Sequence, residues 1–284
     1  MSASLRRRVV ADGLGFAEGP RWRDGRLWFS DMGTASVMTV DEDGRTETVV
    51  SVPARPSGLG WLPDGQLLIV SMGDRRLLRL EDGVLVEHAD LSALASHDCN
   101  DMVVDGRGQA YVGNAGFDLR ERPLRPRPAE IVLVAPDGNA QVVDDEVVFP
   151  NGSVVTADGT TLIVAETFGN RLTAFTIAED GTLADRRTWA ELPGRAPDGI
   201  CLDADGQVWV ADATGRSCVR VAEGGEVTAT VETGPRSCFA CMLGGEDRRT
   251  LFLCTAEGYS GEAIRRRTGA IEAVEVDVPG AGWP

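Results

Sequence analysis

Four residues with carboxylate or amide side chains fall at one position of a repeating pattern: Glu18, Asn100, Asn151 and Asp198. They lie in FAEGPRW, DCNDMVV, FPNGSVV and APDGICL, and the matching positions in RPSGLGW and SCFACML are Ser57 and Phe239. Each precedes a strand-end marker (Asp31, Ser71, Asn114, Glu166, Asp212, Thr255) by 13, 14, 14, 15, 14 and 16 residues in chain order. Two carboxylates forced together in a partly desolvated channel would repel and raise each other's pKa, and a dication would remove that penalty. Two acids with neutral amide oxygens make a hard, oxygen-only set. Such a set suits Ca²⁺, Mg²⁺ or Mn²⁺ and lacks the Cys and His ligands typical of zinc. Asn-Gly and Asp-Gly are also good turn residues, satisfied by local backbone bonds. Their shared position in separate repeats favours the metal.

Composition removes several alternatives. The 284 residues include no lysine, so all 28 basic residues are arginine and Schiff-base chemistry is excluded. With only His88 and His97, a three-histidine zinc site cannot form. A formal net charge of −16 makes nucleic acid and anionic membranes poor partners. No apolar run has the length of a signal peptide or a membrane span, so the chain reads as soluble and cytosolic. The six cysteines are too few for a disulfide scaffold, and Cys238–Cys241 is a lone CxxC, which reads as core packing.

The elements that must position the four residues form a repeat. The apolar runs RLWFSD, QLLIVS, QAYVGN, TLIVAE, QVWVAD and TLFLCT recur at intervals of 40, 43, 52, 46 and 43 residues. Asp24-Gly25, Asp64-Gly65, Asp158-Gly159 and Asp205-Gly206 precede four of them, and Gly106-Arg107-Gly108 a fifth. Such glycines supply the positive φ of a hairpin turn. Second-half runs such as VMTVDEDG and IVLVAPDG bring each unit to about four antiparallel strands. Six such units point to an all-β, six-bladed propeller, one domain over residues 1–284, closed by pairing Arg6–Ala11 with Ile271–Val278 in the last blade. The proline-rich stretch Arg120–Pro128 reads as an insertion loop in the third blade. LSALASH is the best short helix candidate. In a propeller the segments carrying the four residues meet around the axis.

The segments AEGPRW, CNDMVVDGRGQAYVGN, PNGSVVTADGTTLIVAET and PDGICLDADGQVWVAD resemble the regucalcin/gluconolactonase family of six-bladed propellers. That resemblance spans nearly the whole chain and implies a divalent-metal lactonase, with Ca²⁺ the first choice of ion and Mg²⁺, Mn²⁺ or Zn²⁺ the others. Glu18, Asn151 and Asp198 match the family's metal ligands, Asp198 also its acid/base residue, and Asn100 a substrate contact. Asp98 stands where sugar-lactone members carry a substrate-binding arginine, which implies a different substrate preference. Asp118 and Glu121 lie near the family's further substrate-contacting acid without a secure match. His97, beside Asp98, is a substrate-contact candidate at the channel mouth. Glu166 and Asp212 end strands and read as turn caps or arginine partners rather than catalysts. The expected partner is a small cyclic ester. A phosphotriesterase-like hydrolase and a non-enzymatic metal- or ligand-binding propeller remain as alternatives.

Overall fold

The computed structural model describes residues 7–281. Six four-stranded antiparallel sheets stand around an axis. Their innermost strands are Ala17–Arg23, Pro56–Trp61, Cys99–Val104, Pro150–Val155, Pro197–Leu202 and Ser237–Gly244. Each inner strand packs beside the next, and the sixth packs beside the first, closing the ring. The first five blades run outward in chain order. The sixth takes its outermost strand, Arg8–Leu14, from the other end of the chain, paired with Gly269–Glu275. The expected closure is thus present; Arg6, its proposed first residue, lies outside the described residues.

Burial explains why the apolar runs are continuous rather than alternating. An inner or second strand has a neighbouring blade on both faces, so Leu67–Ser71 and Val208–Asp212 are buried at every residue. Outer strands face water and are polar, as in Thr46–Ser51. The core consists of apolar slabs between blades: Leu59, Trp61 and Ile69 meet Val37 and Val52 between the first two, and Trp209 lies among Cys201, Cys218, Cys241 and Phe252 near the last. All six cysteines are buried and free. The hairpin glycines behave as their sequence context requires, with φ of 74°, 89°, 83°, 73° and 76° at Gly25, Gly65, Gly108, Gly159 and Gly206.

LSALASH forms no helix: Leu94 and Ala95 both donate to Leu91 O, and after that single turn Cys99 N must reach Met72 O to start the third blade. A short helix lies instead at Gly261–Arg265, between the second and third strands of the sixth blade, capped by Ser260. The Arg120–Pro128 segment does connect the second and third strands of blade three, between Ala110–Asn114 and Ala129–Val134.

Candidate metal centre

The backbone aims the donor set before any side chain is considered. One ladder pair recurs near the start of each inner strand: Ala17 with Asp31, Pro56 with Ser71, Cys99 with Asn114, Pro150 with Glu166, Pro197 with Asp212, Cys238 with Thr255. The next residue is, in order, Glu18, Ser57, Asn100, Asn151, Asp198 and Phe239. In all six the register then slips, between Glu18 and Arg21 in the first blade and at the equivalent place in the others. A bulge of this kind re-aims a side chain out of the pleat, here toward the axis. Ser57 Oγ donates to Asn100 Oδ1 at 3.4 Å across adjacent blades.

Glycines follow three of the four donors for a reason the sequence reading placed elsewhere. Only Gly19 has a positive φ, at 53°. What Gly152 and Gly199 permit is close approach of blades: an added Cβ would lie 2.5 Å from Ile200 N and 2.5 Å from Ala240 Cβ, respectively. Gly58 does the same in blade two, where a Cβ would lie 2.4 Å from Met102 N. A ring drawn this tight brings the donors within reach of one another.

Glu18, Asn151 and Asp198 are buried at 7%, 6% and 7% exposure, and Asn100 is half-buried. Burial pushes the Glu18 carboxyl well above its ordinary pKa, and the charges of Asp198 and Asp101 push it further. Burial likewise raises Asp198, with Asp101 adding and a hydrogen bond with Asn151 opposing. Asn151 Nδ2 donates to Thr167 Oγ1 at 3.1 Å, and that hydroxyl donates to Pro197 O at 2.8 Å. The amide nitrogen is thereby committed, and Oδ1 is the atom left to ligate.

The decisive feature is a contrast. Buried carboxylates elsewhere are satisfied: Asp31 accepts three backbone N–H groups, Glu166 pairs with Arg171, Asp203 with Arg220, Asp212 with Arg195, Glu272 with Arg236, Asp101 with Arg21. Glu18 accepts one bond, from Gly19 N at 3.0 Å, and neither Glu18 nor Asp198 has an arginine partner among the described residues. Two adjacent, unpaired, buried acids are costly unless protonated or bridged by a cation. The oxygen-only set Glu18, Asn151 and Asp198 fits a hard divalent ion. No trio of His, Cys, Asp or Glu poised for a metal occurs among the described residues, so the set depends on its amide.

Residues 16–257 match the SMP-30/Gluconolactonase/LRE-like region family. The chain belongs to that family. Among its relatives, a 6-deoxy-6-sulfogluconolactonase of Pseudomonas putida is 25% identical, covering 97% of this chain and 96% of its own. Regucalcin of Gallus gallus is 24% identical over 92% and 90%. Among solved structures, a calcium-binding protein, regucalcin, from Agrobacterium tumefaciens superposes with a TM-score of 0.83 at 23% identity, covering 99% of this chain and 97% of that one.

In this SMP-30/gluconolactonase propeller, the rim differs from the sequence expectation in one respect. Asp98 is not a lone acid: Arg55 of the preceding blade reaches its Oδ2 with Nη2 at 2.8 Å. Arg55 and Asp98 each stand two residues before their blade's inward residue, and that spacing is the signal by which Arg55 was findable. His97 Nδ1 lies 3.7 Å from Asp98 Oδ1 without a hydrogen bond. Asp118 pairs with Arg120 at 2.9 Å and Glu121 with Arg127 at 3.2 Å. Glu166 and Asp212 cap turns as expected, Asp212 Oδ1 accepting from Gly215 N at 2.9 Å and Glu166 Oε2 from Val148 N at 2.7 Å. Cavities of about 550 and 300 Å³ lie at the other ends of the strands, by the Asp24–Gly25 and Asp158–Gly159 turns, away from the acid pair. Arg21 and Asp101 escaped the sequence reading. Only the charged residues in EGPRW and CNDM, inside otherwise buried strands, hinted at them.

Proposed function

We propose that this chain is a divalent-metal-dependent hydrolase that opens a lactone to its hydroxy acid. The observation that carries the reading is the unpaired buried carboxylate pair, Glu18 and Asp198, beside an amide oxygen acceptor on Asn151. Relatives named 6-deoxy-6-sulfogluconolactonase and, in Haloferax volcanii, pentonolactonase match nearly the whole chain at 25% and 24% identity and support it. The oxygen-only donors favour Ca²⁺.

Glu18, Asn151 and Asp198 would hold the ion, which when bound would polarise the lactone carbonyl and offset oxyanion charge. Asp198 takes a proton from the attacking water and returns it to the ring oxygen as the ester bond breaks. Its low exposure keeps that exchange out of bulk water. Asn100, held by Ser57, orients the ester. Asp98, with Arg55 and His97, contacts the substituents at the rim.

The test is turnover of lactone, ester and phosphotriester panels with and without chelator. Lactone hydrolysis lost on chelation and restored by Ca²⁺ is expected. Phosphotriester turnover alone, or no turnover of any panel with metal present, would replace this reading with another hydrolase or a binding protein.

A further inference from the structure

Two residues before the equivalent position of each blade stand Phe16, Arg55, Asp98, Phe149, Ala196 and Ser237, which mark the rim of the channel. Charge at these six positions is confined to blades two and three, where Arg55 and Asp98 neutralise each other at 2.8 Å. Blades five and six face that pair across the ring, because the inner strands pack in chain order and the sixth closes on the first. In blade six the equivalent position holds Phe239, where every other blade carries an oxygen-bearing side chain. Phe239 thus stands between the two blades that supply the acids, Asp198 in blade five and Glu18 in blade one.

Phe239 is the base of an apolar wall. Its ring lies 4.7 Å from that of Phe16, centroid to centroid. Ala256 completes the buried part, and Met32, Ala213 and Ile264 pack against it half-buried. These three come from the connections between second and third strands of blades one, five and six. Those connections lie at the rim, because each second strand ends opposite the start of its inner strand. Ile264 Cγ2 reaches across to blade one, where a Cβ on Gly33 would lie 2.9 Å from it. Tyr259, on the sixth-blade connection, is 69% exposed, more than any other large apolar side chain among the described residues. Arg195, Arg236 and Arg266 of the adjoining connections are held by Asp212, Glu272 and Glu257. A sugar hydroxyl set against this wall would lose its water without gaining a partner, whereas a methylene set there gains by leaving water.

We propose that the wall formed by Phe239, Met32, Ala213 and Ile264 binds an alkyl substituent, so that the lactone opened by this chain carries an apolar chain in place of the hydroxyl groups of a sugar lactone. The wall contacts the substituent and not the ester, whose polar groups face Arg55 and Asp98 on the other side of the ring. This inference rests on the hydrolase reading above, and its test separates the two.

The protein with Ca²⁺ is assayed on δ-valerolactone, on δ-lactones bearing ring alkyl chains of one to six carbons, and on glucono-δ-lactone. The expected kcat/KM rises about two- to fourfold with each added methylene. For the hexyl lactone it exceeds that for gluconolactone by about a hundredfold. Met32→Gln and Ile264→Asn, at two half-buried sites, each lower the ratio of hexyl to unsubstituted kcat/KM about tenfold. Tyr259→Ser, at an exposed site, serves if neither folds and lowers that ratio about threefold. A flat dependence on chain length, a preference for gluconolactone, or a loss shared equally by the hexyl and unsubstituted lactones in these variants overturns the inference. Absence of turnover of every lactone by the unmodified protein overturns the hydrolase reading itself.

Discussion

Replacing Asp198 by Asn should have opposite effects on stability depending on whether metal is present. In the metal-free protein Glu18 and Asp198 both titrate above their unfolded values, chiefly through burial. Between the unfolded and folded pKa the native state holds more protons, so stability falls as pH rises through that window. Each unit of upward shift removes about 1.4 kcal/mol once the acid is ionised. Asn keeps the shape and the hydrogen bond with Asn151 but carries no charge. At pH 8 in chelator, Asp198→Asn should therefore be more stable by at least about 1 kcal/mol, which for a chain of this size is roughly 2–4 °C in melting temperature. With Ca²⁺ at about a hundred times Kd, the unmodified protein gains about 2.7 kcal/mol while the variant gains little, and the order reverses. Hydrolysis by the variant should drop at least ~10²-fold. Thermal unfolding followed by circular dichroism at pH 5 and pH 8, with chelator and with Ca²⁺, measures all four states. A variant less stable than the parent in chelator at pH 8 would refute the claim that the parent's acid pair is uncompensated.

Two other perturbations probe the frame and the rim. Gly199→Ala places a methyl 2.5 Å from Ala240 Cβ, so it should force the fifth and sixth inner strands apart, cost about 1–3 kcal/mol in denaturant unfolding and weaken Ca²⁺ binding; an unchanged midpoint would show that the ring is slacker than drawn. Arg55→Ala leaves Asp98 unneutralised at the mouth, so KM for a carboxylate-bearing lactone should rise about tenfold relative to a neutral one, with Ca²⁺ affinity unmoved; equal KM changes for both lactones would take Arg55 out of substrate discrimination.

What could be read from the chain followed its periodicity. The repeat located the equivalent position of every blade, Phe239 included, because the ladder pair before it and the register slip recur in each. The hairpin glycines were legible because φ above zero is a local demand. Contacts that join one repeat to another left a fainter trace. Nothing in EGPRW announces that Arg21 will meet Asp101, eighty residues on, and Arg55 gains its meaning only when Asp98 of the next blade stands beside it. The glycines after Asn151 and Asp198 suggested turns, yet crowding between strands is what excludes a Cβ there. LSALASH has helical composition but too little chain to spend on a helix between Leu91 and the bond that Cys99 must make.

The sixth blade joins Arg8 to Ala273, residues from opposite ends of the polypeptide. During synthesis the strand Arg8–Leu14 is made early and has no mate until Gly269–Glu275 leaves the ribosome. Bringing those ends together carries a loop-closure entropy of about 5 kcal/mol for a separation of this length. The annulus around the acid pair therefore becomes rigid last, and a nascent chain stopped short of Gly269–Glu275 would hold an open arc of blades with a bare strand at each end.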